Sequence, residues 1–356
     1  MKRIMIITSL ILASAFFVNC ATSSMEFTTA KTALRSERNL QKAEEWFIKA
    51  LDVEPENALI PYILATEIYR PQKKWAKMAD MLTEAMERNP NQKLERPFMM
   101  DNKPIITIED GVLSYRKQEW VSIFNKGIEL FQAQKMDEAI EKLSLAMKLD
   151  PSNPETYSTL GMIFTLTEDY DKAQKMAYLG LQLDPNHSKL LKLSGDIAIN
   201  DKDFTKAIEL YKRAIDSSDN VSASLIKLLI YTYIDIGEYQ SAIDYSLDLI
   251  SKNPDEADAY FNVGVMYQRL GANLYNPAIE EFNTQSETRN LESLTKILTD
   301  LKQAKSYFSE ARDYFLEASD LEIEDSGAYD AAKNMKENVK QLDTIFIPSV
   351  QDMLKQ

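Results

Sequence analysis

Three glycines, Gly127, Gly161 and Gly195, stand 34 residues apart, and Ala139, Ala173 and Ala207 repeat with the same step. Pro151 and Pro185 keep that step, with Asp219 at the next one. A fixed period of this size makes each period one supersecondary unit that buries its apolar face only by stacking on its neighbours. Within a unit the Gly is followed by an Ala, then by a residue that is usually large and apolar, then by a small one. The sets are Gly127, Ala139, Leu143 and Ala146; Gly161, Ala173, Ala177 and Gly180; and Gly195, Ala207, Tyr211 and Ala214. Small residues at these places let two antiparallel helices approach closely, and the large ones fill the space between them. The closing Pro cannot continue the second helix and marks the turn to the next unit. Only 9 glycines occur in 356 residues, which agrees with a chain made almost wholly of helices.

This pattern resembles the tetratricopeptide repeat. The resemblance implies an all-α, right-handed solenoid of antiparallel helix pairs ending in a C-terminal capping helix, with essentially no sheet. It spans roughly residues 24–340 and is strongest over 120–271. The organisation expected is a signal peptide at 1–19, a tether at 20–26, degenerate repeats at 27–92 and an insertion with a linking helix at 93–119. Regular repeats follow at 120–271, then a second insertion at 272–304, then the last repeat helix and cap at 305–356. The second insertion is inferred because the Ala–aromatic–Ala signature of the last unit is displaced to Ala311, Phe315 and Ala318.

The first twenty residues read as an address. Lys2 and Arg3 precede an apolar stretch, 4–18, that is too short to cross a bilayer comfortably, and Cys20 follows before a polar run. This resembles a bacterial lipoprotein signal, which implies lipidation of Cys20, the chain's one cysteine, after cleavage. Asn19 departs from the small residue usual at that place. An uncleaved anchor or an ordinary cleaved signal, cut near Ala13-Ser14-Ala15, are the alternatives. Ala21 rather than Asp after the cysteine favours the outer membrane, facing the periplasm, by resemblance to proteobacterial sorting.

The composition excludes several chemistries. One His and one Cys leave no His-based acid–base pair, no Cys-rich zinc site and no internal disulfide framework. The formal charge of −14 repels phosphate backbones, so nucleic acid is not an expected partner. His187 falls in a turn between helix pairs and reads as a solvated residue. Asp216, Asp219 and Asn220 lack the spacing of a calcium loop. No catalytic constellation, metal site or cofactor is expected.

What remains is a binding face. In the repeat family, ligands lie against the first helix of each unit, on its second, fifth, ninth, twelfth and thirteenth places. Here the resemblance implies a partner-binding groove of Phe124, Ile128, Phe131, Met162, Lys192, Lys227, Tyr231, Phe261, Val265 and Arg269. Phe124, Phe131, Tyr231 and Phe261 serve as aromatic anchors, and Lys192, Lys227 and Arg269 set register. The alternative is that the insertions 93–119 and 272–304 fold over these residues. The family's carboxylate clamp is not matched, since Ile128 and Asp196 occupy ninth places. The function expected is a lipid-anchored scaffold for an envelope protein or extended peptide. The alternative destination is assembly of outer-membrane proteins, pili or secretins, or cell wall.

Overall fold

The computed structural model describes residues 23–218, 222–284, 290–321 and 327–355. Cys20, Asp219 and Asn220 lie outside them. The chain forms two compact units, Met1–Thr156 and Tyr157–Gln356.

In the first unit, α1 (Met25–Arg35) and α2 (Leu40–Val53) pack through Phe27, Ala30 and Ala33 and through Ala43, Phe47 and Ala50, all buried. The rings of Phe27 and Phe47 meet at 5.9 Å. Helix α3 (Leu59–Ile63) runs on as a π-helix over Leu64–Tyr69 before α4 (Trp75–Arg88) returns. The long α5 (Ile108–Gln132) pairs with α6 (Met136–Leu149).

Between α4 and α5 a single short hairpin is added to the otherwise all-helical chain. Residues Lys93–Met100 (β1) and Lys103–Thr107 (β2) form an antiparallel hairpin. Its two-residue turn holds Asp101 and Asn102 at φ 49° and 62°, the left-handed conformations a tight hairpin needs and these two residue types tolerate. A capping box joins hairpin to helix. The Asp110 carboxylate accepts from the Ile106 and Thr107 amides at 3.1 and 2.9 Å, and the Thr107 hydroxyl accepts from the Asp110 amide at 3.2 Å. Those bonds hold the half-buried Asp110 carboxyl below its usual range, the Thr107 amide contributing most.

The second unit stacks α7 (which begins at Pro154 and runs to Leu166) with α8 (Tyr170–Leu183), α9 (Ser188–Asn200) with α10 (Phe204–Asp216), and α11 (Ala223–Asp235) with α12 (Tyr239–Lys252). The last pair is α13 (Ala257–Thr284) with α14 (Leu291–Leu321). Here the second insertion is not a separate flap. It lengthens both helices of one pair. The buried residues of α14 are Leu294, Ile297, Leu301, Ala304, Phe308, Ala311, Phe315 and Ala318, in alternating steps of three and four. That is the seven-residue seam of a coiled coil, which keeps two long helices in register. Helix α15 (Ala328–Gln341), a π-turn at Leu342–Phe346 and α16 (Ile347–Met353) close the chain.

The turn inside each regular pair repeats too. Gln134, Glu168 and Lys202 have φ of 59°, 61° and 60°, and Gly237 has 78°. Each is followed by a residue whose amide reaches back to the helix: Lys135 to the Leu130 carbonyl, Asp169 to Phe164, Asp203 to Ala198 and Glu238 to Tyr233. This is the Schellman closure, with the left-handed residue just past the helix end. A side chain there costs about 1–2 kcal/mol, while glycine adds about 0.5–1 kcal/mol of backbone entropy loss on folding. Glu168→Gly with Lys202→Gly should therefore raise stability by about 1 kcal/mol, and Gly237→Ala should lower it by a similar amount. Urea denaturation of the two variants checks the sign; a loss in the double glycine variant would contradict this account.

Candidate functional site

The first helices of the pairs carry the residues expected to line the groove, and the two units use them differently. In the first unit Phe124 is 9% exposed. It stacks on Trp120, one helical turn earlier, with centroids 4.6 Å apart. The Trp120 indole donates to the Thr156 hydroxyl at 2.7 Å, which fixes the stack. Phe124 is thus a core residue, not an exposed anchor, and Ile128 and Phe131 are half-buried. No strand or loop of the first insertion is needed to account for this: the partner is an aromatic on the same helix.

In the second unit Phe261 and Val265 pack against the core built by α14, where the Phe261 ring meets Phe315 at 5.3 Å. Their partner is the last helix pair's own second helix. Lys192 is held by Asp196 at 2.6 Å, and the same carboxylate accepts from the buried Tyr211 hydroxyl at 2.8 Å. Burial and that carboxylate together push the Tyr211 phenol far above its usual range. Asp196 therefore bridges α9 and α10, and Lys192 neutralises it. Lys227 pairs with Glu256, and this bond, opposed by partial burial, raises the ammonium above its ordinary value. Two of the three cations expected to meet a partner are thus engaged internally. Met162 at 42% and Tyr231 at 48% remain exposed on their first helices, and Arg269 is exposed with no ion pair among the described residues.

One cavity of about 570 Å³ has no counterpart in the sequence reading. It lies in the first unit, between the hairpin, the π-helix, α1 and α5. Leu59, Tyr62, Ile63, Thr66, Glu67, Leu94, Glu95, Arg96, Phe98, Tyr115 and Arg35 line it. Tyr115 lies between Tyr62 and Phe98, with centroid distances of 6.2 and 6.3 Å. The Arg70 guanidinium covers the Tyr115 ring at 5.0 Å and is itself held by Glu119 at 2.6 Å. Tyr62 is 6% exposed and its hydroxyl has no hydrogen-bond partner among the described residues. Burial raises that phenol far above its usual range, so the group is neutral at any working pH. The signal for this cavity was present only in part. Phe98 and Tyr115 are visible in the sequence, but the strand that brings one to the other is not.

Residues 154–187, helices α7 and α8, match the tetratricopeptide repeat. The chain is 30% identical over 142 residues to the BBSome complex member BBS4 of Bos taurus, which is 40% of this chain and 27% of that protein. It thus spans about a quarter of the length of that curated relative. Among solved structures, a tetratricopeptide repeat protein of Parabacteroides merdae is 16% identical, covering 78% of this chain and 95% of the other at a TM-score of 0.37. The pilF structure of Pseudomonas aeruginosa is 18% identical, covering 62% and 98% at a TM-score of 0.39. The chain carries a tetratricopeptide repeat set among tandem helix pairs, a construction suited to protein–protein interaction. No helix of the described residues is long and apolar enough to cross a membrane.

Proposed function

We propose that this protein is a non-catalytic scaffold that holds a protein or extended peptide of the bacterial cell envelope, anchored to the membrane through acylated Cys20. The observation that carries the binding half is the exposure of Met162 and Tyr231 on first helices whose other large groove residues are consumed by packing or ion pairing. An exposed aromatic beside internally neutralised lysines offers apolar contact area and little charge steering. The anchoring half rests on the apolar run 4–18 ending at Cys20. Acyl chains contribute about 0.8 kcal/mol per buried methylene, so several chains make a stable anchor where one does not. A role in assembling outer-membrane proteins, pili, secretins or wall would be the same activity with a named partner.

A photo-crosslinking residue placed at 231 should give a discrete envelope adduct, and one at 178, where Tyr178 is 63% exposed on a second helix, should not. Tyr231→Ala should weaken recovery of that adduct partner roughly tenfold while leaving the melting temperature unchanged. Equal adducts from both positions would place the binding face elsewhere. Cys20→Ser should abolish acyl labelling; labelling that survives it rejects the anchor.

A further inference from the structure

We infer that the cavity under the hairpin of the first unit is a second binding site, for a carboxylate carried on an apolar or aromatic body. Two backbone irregularities converge on it. Between the pairs Lys93↔Thr107 and Phe98↔Ile105, β1 advances five residues while β2 advances two, so residues 94–97 bulge out of the ladder. That bulge delivers Leu94, Glu95 and Arg96 to the wall. Opposite it, Thr66 and Glu67 come from the π-helix. Bulges and π-turns are costly to keep and concentrate where side chains must be re-aimed. The volume lies within the range of about 300–1,000 Å³ usual for small-ligand sites.

The charges select the ligand. Glu95 is neutralised by Lys31 at 2.9 Å and by Arg35 at 3.7 Å, and Arg35 also meets Glu67 at 3.7 Å. Arg96 has no ion pair or hydrogen bond among the described residues. Of the two guanidiniums in the wall, Arg35 is thus ion-paired and Arg96 is the one left unpaired, and a guanidinium matches a carboxylate through two parallel hydrogen bonds. A phosphate dianion fits worse, because both glutamates flank the site. A cationic ligand fits worse as well, since the Arg70 guanidinium already occupies the Tyr115 ring. Phe98, Tyr62 and Leu59 supply the apolar surface for the body of the acid. A peptide C-terminus and a free small acid share this chemistry.

Calorimetry on the full chain in detergent separates these sources and tests the site. The probes are acetyl-Leu-Phe with a free carboxylate, the same dipeptide as its amide, and 3-phenylpropionate. The acid dipeptide should bind about tenfold more tightly than the amide, as loss of one charge-assisted pair predicts. Arg96→Gln should erase that preference, while Arg269→Gln, in the other unit, should leave it intact. Phe98→Ala should weaken the acid while retaining the preference over the amide. If phenylpropionate matches the dipeptide, the site takes a free acid; if it is much weaker, a peptide end, and either supports the inference. Equal binding of acid and amide, an unchanged preference in Arg96→Gln, or no binding of any probe at millimolar concentration overturns it. Tyr231→Ala leaves this binding untouched, so failure here and failure of the scaffold reading are separate results.

Discussion

Phe315→Ala should cost the second unit about 3–5 kcal/mol, the usual range for emptying a fully buried phenylalanine site. Phe315 is 0% exposed and sits in the seven-residue seam of α14. Its ring meets Phe261 from α13, and a Cβ built on Gly264 would lie 2.7 Å from its Cδ1. Glycine at that place is what lets the two helices close around the ring, and the cavity left by alanine has stiff walls on both sides. Leu316, next in sequence but 39% exposed, should cost well under 1 kcal/mol as alanine. Urea denaturation followed by far-ultraviolet circular dichroism measures both, because Trp46, Trp75 and Trp120 all belong to the first unit and do not report on this one. A cost below about 1.5 kcal/mol for Phe315→Ala would mean that the long pair is not packed through this seam.

The same residue shows how far the sequence could be read. Ala311, Phe315 and Ala318 are legible as a repeat signature because their spacing is set by helix contact, which every unit shares. The residues before them were legible only as a displacement. Leu294, Ile297, Leu301, Ala304 and Phe308 continue the seam in the same three–four rhythm, so both helices simply lengthen. A template that counts from one unit to the next registers such lengthening as an insertion. The left-handed turn residues were hidden for a different reason. Glycine marks the place only at Gly237, while Gln134, Glu168 and Lys202 hold the same conformation because the flanking helices and the returning amides enforce it.

The hairpin and the groove mark where local pattern loses to tertiary context. Pro97 and Pro104 and the bulge break the alternation by which a strand is recognised, and the turn uses Asp101-Asn102 instead of a glycine. The pairing itself is a property of two segments, not of either alone. In the groove, the repeat place correctly puts Met162 and Tyr231 on exposed surface. It fails for Phe124 because Trp120, a turn away, offers a ring to stack on, and for Phe261 because Phe315 does. Place in a repeat fixes the direction of a side chain. What stands in that direction is decided by residues the template does not count.

Arg88→Ala should cost the first unit about 2–3 kcal/mol, the second large effect expected. Arg88, on the last turn of α4, has a side chain only 12% exposed. Its Nη1 donates to the Glu54 carbonyl at 2.9 Å and its Nη2 to the Leu51 carbonyl at 3.0 Å, while Glu84 accepts from Nη2 at 2.6 Å. The end of α2 has carbonyls that no helical amide can reach, and a cation there also suits the helix dipole. Alanine leaves the Leu51 carbonyl and the Glu84 carboxylate without this donor, while the Glu54 carbonyl keeps the Asn57 amide at 3.1 Å, and leaving a buried acceptor unsatisfied costs more than a made bond contributes. Arg88→Lys should recover less than half of the loss, since one ammonium cannot span three acceptors held by a planar fork. Trp46 on α2 and Trp75 on α4 belong to the two helices this contact joins, so the fluorescence-detected urea midpoint is the measurement. If lysine restores full stability, the charge alone holds the α2 terminus; if alanine costs under about 1 kcal/mol, water replaces the guanidinium and these two helices are joined by their apolar faces only.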